Sequence, residues 1–145
     1  MSAIVPSPEY YSIIRNICDN YDVLFIADEV LSGFGRTGTP FAINLWNVTP
    51  DIITAGKGIS SGYAPISATI LSEKVWKSIQ KGSGKVSYTS TYGGNPLSCA
   101  TGISVLEYIE TNGLVERSRL MGDKLITKLR ESLGALRIVR DVRGK

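Results

Sequence analysis

The sequence predicts an α/β fold of three layers, with a mostly parallel sheet flanked by helices. Three observations carry that prediction. Short apolar runs alternate along the chain with longer stretches whose apolar residues recur at helical spacing. The runs at 23–27, 51–55 and 66–71 are strand-sized and largely unbroken, as strands buried on both faces of a parallel sheet read. Glycine, proline and capping residues punctuate the boundaries between them.

The elements follow in order. Ser7 before Pro8 is a helix start, and Ile13, Ile14, Ile17, Cys18 and Tyr21 behind it predict a helix over 8–20. The run 23–27 is the first strand. A glycine-rich loop follows, then a short helix around 41–46 and a second strand at 51–55. The third strand, 66–71, leads to Ser72, which caps a helix carrying Val75, Trp76 and Ile79. Residues 81–94 are rich in Gly, Ser, Thr and Tyr and read as a loop. Asn95 and Pro96 begin a helix with Leu97, Ala100, Ile103, Leu106 and Ile109, ending near Asn112 and Gly113. An amphipathic helix over 114–133 is stopped by Gly134, and 136–142 resembles a strand.

At 145 residues with 43% hydrophobic side chains, the chain has enough apolar material for one packed core. The net charge is only +3, and the basic residues are scattered apart from Arg137, Arg140, Arg143 and Lys145, so a solvated face is favoured over nucleic-acid binding. The apolar runs are strand-sized and no signal-like start is present, so no membrane partner and a cytoplasmic location are expected. Cys18 and Cys99 lie far apart without CxxC spacing, which makes them core thiols rather than metal ligands or a disulfide. Histidine is absent, which removes His-dependent nucleophilic catalysis and His-ligated metal sites from these residues.

The stretch FIADEVLSGFGRTG, residues 25–38, contains G-x-G-x-x-G at Gly33, Gly35 and Gly38. A dinucleotide fingerprint needs its first glycine directly after a strand, a helix opened by the last, and an acid at the end of the next strand. Here Asp28 and Glu29 intervene, and a carboxylate pair is a poor neighbour for a pyrophosphate. Asp51 begins its strand instead of ending it. A nucleotide-binding oxidoreductase is therefore the weakest reading of the loop.

The acids are the better signal. Ligands of open parallel sheets collect beyond the carboxyl ends of the strands. Asp28 lies at such an end, and Lys57, between Gly56 and Gly58 in DIITAGKGISSGY, lies just past the next. A strand-end aspartate that caps something, beside a surface lysine in a glycine turn, explains the spacing equally well. If the strands are neighbours, however, an acid and an amine converge. That pair suits pyridoxal phosphate: a lysine to form the Schiff base and act as local base, and an acid to keep the pyridine nitrogen protonated.

Three ordered segments, FIADEVLSGFGRTG, TPDIITAGKGISSGYAPISATILSEKVW and STYGGNPLSCATGISVLEYIE, resemble signatures of the class III pyridoxal-phosphate aminotransferases, the ω-aminotransferase group. The resemblance implies part of the fold type I large domain. It implies Lys57 as the Schiff-base lysine, Asp28 as partner of the pyridine nitrogen and Val30 packed on one ring face. Thr91 would bind the cofactor phosphate of a neighbouring subunit, which makes a homodimer with the site at its interface. The implied reaction passes an amino group from an amine or ω-amino acid to a 2-oxo acid. Gly33, Gly35 and Gly38 then become turn glycines, and Arg36 becomes a structural residue.

Two departures accompany the resemblance. Leu31 stands where many members have glutamine, and Ser87, Tyr88, Thr89 and Ser90 replace a segment that often contains histidine. Residues 1–135 correspond to part of the cofactor-binding large domain, and 136–145 to the start of a truncated C-terminal small domain. The family's early glycine-serine phosphate loop and its stacking aromatic have no counterpart here. A noncatalytic α/β segment that cannot retain cofactor by itself is accordingly the alternative to an active aminotransferase.

Overall fold

The computed structural model describes residues 3–87 and 90–145. Helix α1, Tyr10–Asn20, starts within the expected stretch, its first amide donating to Ser7 O at 3.2 Å. One stripe of it, Tyr11, Ile14 and Cys18, packs on Phe25, Ile43 and Val48 to make the main core, joined by Phe41 and Trp46. A second stripe, Ile13, Ile17 and Tyr21, is exposed.

Strand β1, Ile26–Asp28, is shorter than the apolar run that predicts it. It is also covered on one face only: Ala27 and the preceding Phe25 are buried, whereas Ile26 is 55% exposed. Successive side chains of a strand point to opposite faces, and α1 covers just one of them. β1 pairs in parallel with β2, Ile52–Ala55, in the register Ile26↔Ile52, Ala27↔Ile53 and Asp28↔Thr54. β2 pairs antiparallel with β3, Ala68–Leu71. The α/β architecture is therefore as expected, but its sheet is mixed rather than mostly parallel, with order β1-β2-β3. A parallel return needs a long crossover, usually helical. Between β2 and β3 stands only the 3₁₀ turn Lys57–Ile59 and irregular chain, so β3 comes back antiparallel.

The amino ends of β1 and β2 are tied by Asp51, which accepts from the Phe25 N–H and from Arg15 Nη1, both at 2.8 Å. Arg15 also pairs with Asp19 one turn along α1. Asp51 thus faces away from the carboxyl edge of the sheet, as its place at the start of the run implies. The short 3₁₀ helix Ala42–Trp46 crosses from β1 toward β2. Trp46 belongs to the core: its ring meets Tyr11 edge-on, and its indole N–H donates to Ser7 O at 2.9 Å.

Ser72 caps α2, Glu73–Lys81, through the Val75 N–H. Asn95 caps α3, Pro96–Thr111, through the Ser98 N–H. Helix α3 turns its small residues Ser98 and Gly102 inward; a Cβ on Gly102 would sit 3.6 Å from Ile59 O, so the helix lies against the Lys57 turn. Helix α4, Leu114–Leu133, ends at Gly134 as expected, although that glycine keeps right-handed helical geometry. The expected strand at 136–142 does not form. The chain turns there, with Val139 N–H donating to Leu136 O, and Ile138 is 92% exposed. An apolar run becomes a strand only where it reaches a sheet edge that can supply ladder bonds. Within 81–94, Tyr88 and Thr89 lie outside the described residues, and those flanking them from 82 onward form neither helix nor strand. Among the described residues no helix is long and apolar enough to cross a membrane.

Candidate functional site

The parallel register builds the site. Asp28 ends β1 directly opposite Thr54, and the Thr54 hydroxyl donates to Asp28 Oδ1 at 3.0 Å. The Val30 N–H donates to the same oxygen at 3.1 Å. Two donors thus orient the carboxylate, and among the described residues Oδ2 has no partner. Three residues beyond Thr54 the chain reaches Lys57, at the same carboxyl end of the sheet.

Lys57 has φ +43°, in the left-handed region that a non-glycine residue occupies only at a cost. Gly56 before it is extended, and a Cβ there would lie 3.5 Å from Val30 Cγ1, so Val30 and the Lys57 turn are in van der Waals reach. Asp28, Val30, Leu31 and Lys57 line one cleft of about 820 Å³, with Tyr11 and Arg36 among the other walls. Its size suits a small cofactor. Burial, together with Tyr10 and Glu29, pushes the Tyr11 hydroxyl above its ordinary pKa, so Tyr11 is neutral there at physiological pH.

Three of the four residues singled out from the sequence therefore meet. Thr91 does not: it is exposed in the turn before α3 and does not line this cleft. Trp46 does not line the cleft itself but packs edge-on against Tyr11, which does. Two contributors are not readable from spacing. Thr54 required the strand register, and Glu29, beside Asp28 in sequence, is 3% exposed and turned away into the protein.

The glycine loop has a packing purpose. A Cβ on Gly38 would fall 2.6 Å from Arg119 Cβ and 2.8 Å from its Cα, and one on Gly35 would fall 3.2 Å from Val115 Cγ2. Gly35 and Gly38 therefore pack on α4 instead of turning their backbones toward a ligand. The chain after Gly38 opens a 3₁₀ helix of five residues, Ala42–Trp46. Both features overturn the dinucleotide reading. The Arg36 guanidinium is exposed and has no partner among the described residues, whereas its carbonyl accepts from Ser118 Oγ at 3.4 Å. Arg36 is anchored through its backbone, so the structural role expected of its side chain is not seen.

The donor set fits pyridoxal phosphate in part. A primary amine and a carboxylate with a free oxygen share a cleft, which serves the aldehyde and ring nitrogen. Arg36, Ser32 and Thr37 are the phosphate-capable side chains of the loop that line the same cleft.

Comparison with known proteins agrees with this chemistry. The family model for class-III aminotransferases matches residues 1–145. A taurine–pyruvate aminotransferase of Bilophila wadsworthia is 42% identical over 146 residues, covering 98% of this chain and 32% of that protein. A transaminase from the marine bacterium Virgibacillus superposes with a TM-score of 0.93 at 39% identity, over 97% of this chain and 32% of its own. An amine transaminase from an uncultivated Pseudomonas species, solved in a PLP-bound form, superposes at 0.92 with 36% identity, over 98% of this chain and 33% of its own. The chain spans about a third of the length of the relatives it matches.

Proposed function

The chain belongs to the class-III aminotransferase family, and from that premise we propose that it forms part of a pyridoxal-phosphate enzyme that moves an amino group from an amine or ω-amino acid to a 2-oxo acid. The observation that carries the proposal is the convergence of Asp28 and Lys57 on one cleft from adjacent parallel strands. The similarity to a taurine–pyruvate aminotransferase supports a donor with a terminal amine.

When bound, the cofactor supplies an electron-withdrawing ring that acidifies the substrate carbon bearing nitrogen. Lys57 provides the amine for covalent attachment and the local base at that carbon. Asp28, oriented by Thr54 and the Val30 N–H, offers Oδ2 to a protonated ring nitrogen. Its charge holds that proton in place, as a carboxylate beside any cation does. Val30, in the cleft wall, would pack against one ring face, and Leu31 would make the neighbouring wall apolar. We assign residues 1–135 to the large domain and 136–145 to the start of the small one, in keeping with the end of α4 at Leu133. Thr91, outside the cleft, is assigned to the phosphate of a second subunit in a homodimer. The unpaired thiols Cys18 and Cys99 suit a reducing, cytoplasmic setting.

The test is to add pyridoxal phosphate, reduce with borohydride and map the modified lysines by peptide mass spectrometry. Stoichiometric modification confined to Lys57 is the expected outcome, and Lys57→Ala should abolish it. Scattered or absent modification would favour the second reading, a noncatalytic segment. The exposure of both Asp28 and Lys57 favours that reading.

A further inference from the structure

Glu29 carries a buried charge for which the proposed chemistry has no use. It is 3% exposed, yet it forms no ion pair with a lysine or arginine among the described residues. Its carboxylate is instead satisfied by hydrogen-bond donors: Ser32 Oγ at 2.6 Å and the Ala42 N–H at 3.0 Å on Oε2, and the Ile43 N–H at 2.7 Å on Oε1. Its backbone is fixed as well. The Glu29 N–H donates to Thr54 O, and Glu29 O accepts from the Gly33 N–H, both at 2.9 Å.

These bonds have a topological consequence. Ser32 and Gly33 lie at the start of the loop 30–41, and Ala42 and Ile43 begin the 3₁₀ helix that ends it. One side chain therefore joins the two ends of the loop, and its own backbone continues the ladder with β2. Charge-assisted bonds to backbone N–H groups are among the stronger hydrogen bonds, and here they replace a counter-ion. An apolar residue would leave the buried Ile43 N–H and the half-buried Ala42 N–H without their acceptors. Aspartate is one methylene too short to span the same gap.

We infer that Glu29 is a positioning residue: its carboxylate clamps the base of loop 30–41 and so holds Val30, Leu31 and Ser32 as one wall of the cleft shared by Asp28 and Lys57. The far side of the loop is held independently, by Gly35 and Gly38 against α4. Releasing Glu29 frees the wall beside Asp28 while the tip stays anchored. The part concerning the cofactor rests on the function proposed above; the clamp does not.

The experiment compares wild type, Glu29→Gln, Ser32→Ala and Arg15→Ala by amide hydrogen exchange and by the pyridoxal phosphate concentration giving half-maximal reduction onto Lys57. Glu29→Gln keeps the shape but turns an NH₂ toward an N–H donor, so exchange at Ala42, Ile43 and the wall residues Val30, Leu31 and Ser32 should rise roughly tenfold or more, with the anchored tip, α3 and β2 unchanged. Ser32→Ala, which spares both backbone bonds, should leave Ala42 and Ile43 protected. Half-maximal labelling in Glu29→Gln should need roughly tenfold more cofactor with the same plateau. Arg15→Ala weakens the opposite end of the sheet and should not move that concentration. Unchanged exchange in Glu29→Gln, or an increase spread evenly over the chain, would overturn the clamp. An equal rise in half-maximal concentration for Arg15→Ala would reduce Glu29 to general stability. If wild type is not labelled at Lys57, the proposed function fails, and the exchange data still decide the clamp.

Discussion

Gly38→Ala tests whether the loop glycines serve packing against α4. Gly38 has φ +80°, and an added Cβ would lie 2.6, 2.8 and 3.0 Å from Arg119 Cβ, Cα and Cγ. The Cα is part of the α4 backbone, so a rotamer change cannot remove the clash and the loop or the helix must move. Left-handed backbone costs an L-residue about 1–2 kcal/mol, and forcing atoms into a packed contact costs about 1–3 kcal/mol. A stiffer unfolded chain returns up to about 1 kcal/mol. Gly62 separates the terms: its φ is +84°, and an added Cβ there meets nothing within 4 Å. Gly62→Ala should therefore show the strain alone, and Gly38→Ala should be less stable than it by the packing term, about 1–3 kcal/mol. Urea unfolding of both variants gives the difference from their midpoints, provided the slopes match. Equal midpoints would refute the packing argument and reopen a ligand role for the loop.

Asp51 sets an acid limit. Burial resists its ionisation, but the Phe25 N–H and the Arg15 guanidinium outweigh that and lower its pKa below the ordinary 3.8. A lowered native pKa stabilises the fold above the unfolded value, and the contribution is lost as pH falls below 3.8 through the native value. Asp51→Asn should therefore reduce stability near neutrality and flatten its decline in that acid window, measured by urea unfolding against pH. An unaltered acid slope would sink this account. Asp28→Asn should retain modification of Lys57 but lower amino-transfer turnover, because a neutral amide cannot hold a proton on the ring nitrogen; unchanged turnover would count against that role. Arg36→Ala should change stability by less than about 0.5 kcal/mol, since its side chain is exposed and has no partner among the described residues. A larger loss by thermal unfolding would restore the structural role that the sequence suggests.

What was legible in the sequence was local. Ser72 and Asn95 announce their helices because a cap is a contact between residues three apart. The glycine after α4 is legible for the same reason. Asp28 and Lys57 were readable as a pair because each stands at the end of its own apolar run, so no register was needed to put both at the carboxyl edge. Thr54 was not, since its hydroxyl reaches Asp28 only if β1 and β2 pair in one particular register. The direction of β3 and the fate of 136–142 also depend on which sheet edge is free, which no single segment encodes. Glu29 shows the limit most sharply. Its neighbour Asp28 has the same charge and stands one position away, yet strand alternation sends the two carboxylates to opposite faces. One meets the cleft and the other meets two backbone N–H groups 13 and 14 residues ahead. Acid followed by acid was a single motif in the sequence; in the fold, the first carboxylate is left with a free oxygen and the second has its bonds filled by the loop it closes.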